Sequence, residues 1–171
     1  FKSTLFALRK REDVKLCVVL MCSAAKRDTF GNVPTQIEID GIHADYVLDT
    51  LDDNDELISQ IHTVTRTMGA LSELLIKEKP DLVVWNESSL GYSFPRALDR
   101  YKTYPKEDPL IPFIKEQGVP FVMGAPAYLD DADNTSNAAV YFDKDGNFVD
   151  AYGKIHLVPF AECIPYADHP L

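Results

Sequence analysis

The chain has 171 residues, of which 46% are hydrophobic, 17 are basic and 27 are acidic, giving a net charge of −10. That length can bury the core of one domain. The acidic balance argues against nucleic acid as a main partner, because phosphate recognition needs a basic face, and it offers no attraction toward anionic lipid.

Residues 1–13, "FKSTLFALRKRED", put their apolar part before the charges. A secretory signal has the opposite order and a longer apolar core, so the stretch reads as a linker or chain edge. Residues 14–171 read as one domain. No run of about 18 apolar residues occurs, so no segment reads as a membrane span. The cysteines number three, Cys17, Cys22 and Cys163. An odd count argues against a disulfide scaffold, and none has a Cys/His spacing suited to zinc.

"VKLCVVLMC" (14–22) is continuously apolar and β-branched, which predicts a strand buried on both faces, with Cys17 in the core. Residues 23–53 are polar and hard to assign, and "TQIEIDGI" within them suggests a small hairpin arm. Ile58, Ile61, Val64, Met68, Leu71 and Leu75 then recur at spacings of three and four. They predict an amphipathic helix over 55–78, capped by Asn54 or Asp53 and ended by Pro80.

"DLVVWNE" (81–87) predicts a second buried strand, and "GYSFPRALDRYKTYP" (91–105) an aromatic-rich connection. "DPLIPFIKEQG" (108–118) predicts a short helix closed by Gly118, and "VPFVMGA" (119–125) a third strand. "TSNAAVYFDKDGNFVDAYGK" (135–154) reads as a hairpin turning at "DKDGN". The order β-α-β-α-β-β-β points to an α/β layered fold.

Two charged positions stand out. Glu87 leaves the strand "DLVVW" at its carboxyl end, where open α/β sheets bind ligands. Beside Trp85 it is a candidate general base, since apolar surroundings raise a carboxylate's proton affinity; the plain alternative is a helix cap or surface ion pair. Lys154 follows the last predicted strand and precedes "HLVPF", an apolar run that would anchor it. A lysine so held can stabilise a developing oxyanion, although most lysines at strand ends are simply solvated. Glu162 has three readings: orienting Lys154, assisting the base, or neutralising the lysine. His156 fits a structural hydrogen bond better than a base. Cys163 adjoins a carboxylate, which raises a thiol's pKa and disfavours it as a nucleophile. "DDNDE" and "DDADN" lack the calcium-loop pattern and read as solvated acidic loops. No cofactor or metal is implied.

These segments together resemble the nitrilase (carbon–nitrogen hydrolase) superfamily over roughly residues 14–171. "DLVVWNES" resembles its glutamate motif. "YGKIHLVPFAECIPY" resembles its lysine motif in the form used by the apolipoprotein N-acyltransferase family, matching at Tyr152, Lys154, His156 to Phe160, Glu162 and Pro165. "SNAAVYF" and "VPFVMGAP" resemble the neighbouring strands, the latter commonly ending in glycine. Asn86 stands where proline is usual and Ala161 where glycine is usual. The first strand lacks the usual V-Q-G-N type of ending, and Trp85 is the sole tryptophan.

The resemblance implies an α-β-β-α sandwich, present here as its N-terminal half to two-thirds, with a Glu-Lys-Cys triad. Glu87 and Lys154 would be catalytic and Glu162 supporting. The nucleophilic cysteine would follow Leu171, leaving the piece alone inactive. The implied partners are a phospholipid acyl donor and an apolipoprotein acceptor. The implied setting is the extracytoplasmic side of a bacterial inner membrane, with the parent protein membrane-embedded. Two other readings stay open: a truncated soluble, cytoplasmic amidase of the nitrilase type, and a non-catalytic binding module on the same scaffold.

Overall fold

The computed structural model of the protein describes residues 2–21, 25, 31–50, 60–106, 108–129 and 135–158. The chain divides into two compact units, Phe1–Leu74 and Leu75–Leu171.

The first unit opens with helix α1 (Lys2–Arg9). The stretch expected as a linker is helical because it is tied down: Leu5 is buried, Lys2 pairs with Asp40 at 2.8 Å, and the Arg9 guanidinium donates to the His43 carbonyl at 2.8 Å. Strand β1 is only Val19–Met21 and pairs in parallel with β2 (Tyr46–Leu48), an element the sequence did not announce. Residues 14–18 are not strand, and Cys17 is half-buried rather than in the core.

Between these strands, α2 (Val33–Ile39) occupies the stretch expected as a hairpin arm. The local chemistry explains the correction. The Asn32 side chain accepts from Thr35 N, Pro34 sits in the first turn, and Gly41 at φ +77° closes the helix. The Ile42 N–H donates to the Ile37 carbonyl and Gly41 N–H to Glu38, which together make a Schellman cap. These end signals override the strand-like alternation of "TQIEI".

Helix α3 (Gln60–Glu78) buries Met68, Leu71, Leu74 and Leu75. The buried Thr67 hydroxyl meets that of Thr50 at 3.2 Å. The helix ends through Lys79, a non-glycine residue at φ +48°, before Pro80. The expected caps Asp53 and Asn54 lie outside the described residues.

The second unit holds a four-stranded sheet in the order β3-β4-β5-β6. Its strands are β3 (Val83–Val84), β4 (Phe121–Ala127), β5 (Ser136–Phe142) and β6 (Phe148–Gly153). β3 runs parallel to β4, and the other pairs are antiparallel. β3 is shorter and more open than expected; among the described residues it lies at the end of the sheet, and Val84 is exposed. The β5–β6 hairpin is the one expected. Asp143 holds its turn by accepting from the Asp145 and Asn147 backbone and from the Asn147 amide, which keeps its carboxyl below the usual range.

Strand alternation gives the sheet two unlike faces. One carries Phe121, Met123, Ala125, Ala127, Ala138, Val140 and Phe142, all buried. Helices α4 (Ala97–Thr103) and α5 (Leu110–Gln117) cover it, where α4 had been expected only as connection. Phe94 is fully buried, stacking with Tyr101 of α4 at 5.8 Å and meeting Phe142 edge-on at 5.4 Å, while Phe113 of α5 packs on Phe121 at 5.6 Å. α5 closes at Gly118, φ +63°, as expected. The register places Gly124 beside Ala139 and Tyr152, and Pro126 beside Asn137, on the other face.

Candidate functional site

The site grows from an interruption in the pairing of β3 with β4. Trp85 N–H still bonds the Val122 carbonyl, at 2.7 Å, and Gly124 N–H bonds the Asn86 carbonyl, at 3.1 Å. The chain then loops out over Glu87 and Ser88 and returns, with Leu90 N–H donating to the Gly124 carbonyl at 3.0 Å and Phe94 N–H to Pro126 at 2.9 Å. The Ser89 hydroxyl also donates to the Gly124 carbonyl. Ser88 takes the left-handed conformation, φ +56°, that the tight turn requires.

Gly124 makes that turn possible. A Cβ built on it would lie 2.5 Å from Glu87 Cα and 2.6 Å from both Asn86 O and Ser88 N. All three are backbone atoms, so no side chain can yield. The glycine is needed here for space beneath the acid rather than for an unusual φ.

Lys154 arrives from the opposite direction. It follows β6, and its N–H bonds the Asn137 carbonyl at 2.7 Å, extending the β5–β6 ladder by one step. Alternation from Tyr152 puts its side chain on the same face as Gly124 and Asn137. Lys154 Nζ stands 3.1 Å from Glu87 Oε1. The Asn137 side-chain amide donates to the same oxygen. A carboxylate, an ammonium and an amide thus meet at one end of the sheet, joining residues 67 and 50 positions apart in sequence.

Glu87 and Lys154 are therefore brought together. The surroundings differ from the expectation for the acid. The Glu87 side chain is 57% exposed and that of Lys154 29%, so the described residues give Glu87 polar donors rather than an apolar pocket, and Trp85 is only half-buried. His156 is exposed. Glu162 and Cys163 lie outside the described residues, as does Cys22. Sequence reasoning assigned no role to Gly124 or Asn137. The signal for Asn137 was present: it is a polar residue in a strand whose alternate positions, Ala138, Val140 and Phe142, are all apolar.

Chemically, the arrangement offers a proton acceptor and a cation within one hydrogen bond of each other, suited to acyl transfer through a tetrahedral oxyanion. Among the described residues, no group of three or more His, Cys, Asp or Glu side chains is placed to hold a metal ion. Among them also, no helix is long and apolar enough to cross a membrane.

No family model matches the chain. It is similar to apolipoprotein N-acyltransferase 2 of Treponema denticola, with 40% identity over 116 residues, covering 66% of this chain and 22% of that protein. It is similar also to the apolipoprotein N-acyltransferase of Borreliella burgdorferi, with 36% identity over 102 residues, 58% of this chain and 20% of that one. The chain thus spans about a fifth of the length of the curated relatives it matches. Among solved structures, a carbon–nitrogen hydrolase from Helicobacter pylori is similar at a TM-score of 0.45 and 24% identity, over 63% of this chain and 39% of that one. A nitrilase-superfamily amidase from Nesterenkonia is similar at a TM-score of 0.43 and 16% identity, over 61% of this chain and 41% of that one.

Proposed function

We propose that this chain supplies the acid and the lysine of the acyl-transfer centre of an apolipoprotein N-acyltransferase. The observation that carries the reading is the 3.1 Å contact between Glu87 and Lys154, two residues that the sequence motifs single out separately. The names of the curated relatives support the choice of acyl transfer.

In this reading Glu87 takes the proton from a cysteine thiol supplied from outside these 171 residues. The thiolate attacks the ester carbonyl of a phospholipid, and the oxyanion forms beside the Lys154 ammonium. Collapse breaks the ester C–O bond, and the proton held on Glu87 passes to the departing lysophospholipid alkoxide. The acyl chain is left on sulfur as a thioester. The amino group of a lipoprotein's N-terminal diacylglyceryl-cysteine then attacks the thioester. Glu87 accepts a proton from the nitrogen and returns it to sulfur, Lys154 again stabilises the intermediate, and an amide is released with the thiol restored. Glu162 supports the centre, and the domain works on the extracytoplasmic side of a bacterial inner membrane.

The test uses the full-length gene product with a labelled phospholipid, reading the acyl-enzyme by its mass. Lys154→Met removes the cation that meets the oxyanion, and acyl-enzyme formation is expected to slow by about 10²–10³-fold with the fold intact. Acyl-enzyme formation at the normal rate in that variant would remove Lys154 from the mechanism.

A further inference from the structure

The Glu87 carboxylate receives two donors on one oxygen. The Lys154 ammonium and the Asn137 amide both bond Oε1, and the Asn137 carbonyl also accepts the Lys154 N–H at 2.7 Å. One residue on β5 therefore holds both partners, the acid through its side chain and the lysine segment through its backbone. We propose that Asn137 is a positioning residue of the Glu87–Lys154 pair. It decides which carboxylate oxygen meets the lysine and so sets the plane of the carboxylate.

The physical need is specific. The terminal torsion of a glutamate is broad and roughly two-fold, and a side chain 57% exposed is not oriented by packing. An ammonium with three rotatable donors imposes no plane on the carboxylate. A planar amide carried on a strand does, because its backbone is fixed by pairing opposite Pro126. Ala139, the next residue on that face of β5, offers no side-chain donor. Holding a reacting group within a narrow angular range is how fixed side chains contribute to rate. The consequence for rate rests on the acyl-transfer reading; the positioning itself does not.

Zero-length carbodiimide coupling tests the two parts separately. The reagent activates a carboxyl, a contacting amine displaces it to form an isopeptide, and the carboxyl oxygen leaves in the urea. In the full-length gene product, Glu87–Lys154 cross-linking is read by peptide mass against the Lys2–Asp40 pair, which is 2.8 Å apart and serves as an internal standard. Asn137→Leu removes the donor at similar size, and Asn137→Ala removes it with the rest of the side chain beyond Cβ. Each is expected to lower the Glu87–Lys154 product about tenfold relative to the standard, the scale of one hydrogen bond to a charged group. In the full-length enzyme each is expected to lower kcat with KM little changed. An undiminished cross-link in both variants would overturn the positioning role. A lost cross-link with undiminished acyl transfer would keep the positioning role and overturn its consequence for rate, whereas no acyl transfer by the unmutated full-length protein would overturn the acyl-transfer reading and leave the positioning role standing.

Discussion

The two faces of the four-stranded sheet use the same strands for opposite ends. On one face Phe121, Met123, Val140 and Phe142 are fully buried and meet Phe94 and the helices. On the other, one register step away, stand Gly124, Asn137, the exposed Tyr152 and the approach to Lys154. The buried face holds the strands in place through apolar area and ring packing. The other face is more open, with Ala139 and Tyr152 exposed, so polar residues can sit there without full desolvation. Strand parity thus separates what keeps the sheet from what the sheet carries, and the rigidity of the first sets the geometry of the second.

The largest effect is expected from breaking the buried face. Phe142 has no exposed surface and touches Phe94 and Phe148. Phe142→Ala leaves a cavity among rings that cannot close over it, and a loss of about 3–5 kcal/mol is expected. Urea denaturation followed by fluorescence measures it. A loss below about 1 kcal/mol, a surface-like value, would show that this face does not hold the sheet.

Legibility in the sequence follows the same division. The α5 helix, its Gly118 stop and the β5–β6 hairpin were readable because local period and turn chemistry agree there with the tertiary structure. α1 and α2 were not. Leu5 is buried within a stretch whose charges dominate its composition, and "TQIEI" alternates like a strand while Asn32 and Gly41 cap it as a helix. The pairing of β1 with β2 was also hidden, because parallel partners of three residues leave no hairpin signal. At the site, Glu87 and Lys154 were legible through their motifs. Gly124 and Asn137 meet Glu87 only where strands distant in sequence come together, and for Gly124 no local pattern records which backbone a missing Cβ would strike.

An intermediate effect is expected at the boundary between the two faces. Gly124→Ala leaves every buried side chain of β4 in place but drives a methyl into the Asn86–Ser88 backbone. The turn must lift, at about 1–3 kcal/mol for overpacking, and Glu87 moves with it. The denaturation midpoint is expected to fall, and the Glu87–Lys154 cross-link to be lost. If the cross-link persists, the glycine is not what seats the acid.

The smallest effect on stability is expected at the charged pair itself. Glu87→Gln keeps the shape of the side chain and an oxygen for Asn137, and removes only the charge facing Lys154. The pair is open to solvent on the glutamate side. Screening by water and the entropy of holding two long side chains leave such pairs about 0.2–1 kcal/mol of coupling. A double-mutant cycle with Lys154→Met, read by urea denaturation at low and high salt, is expected to return a coupling in that range that shrinks with salt. The single Glu87→Gln variant is still expected to abolish acyl-enzyme formation in the full-length protein, since an amide does not accept the thiol proton. A coupling well above 1 kcal/mol, insensitive to salt, would mean that the pair is part of the framework after all, and the separation of the two faces by function would fail at the residues where it matters most.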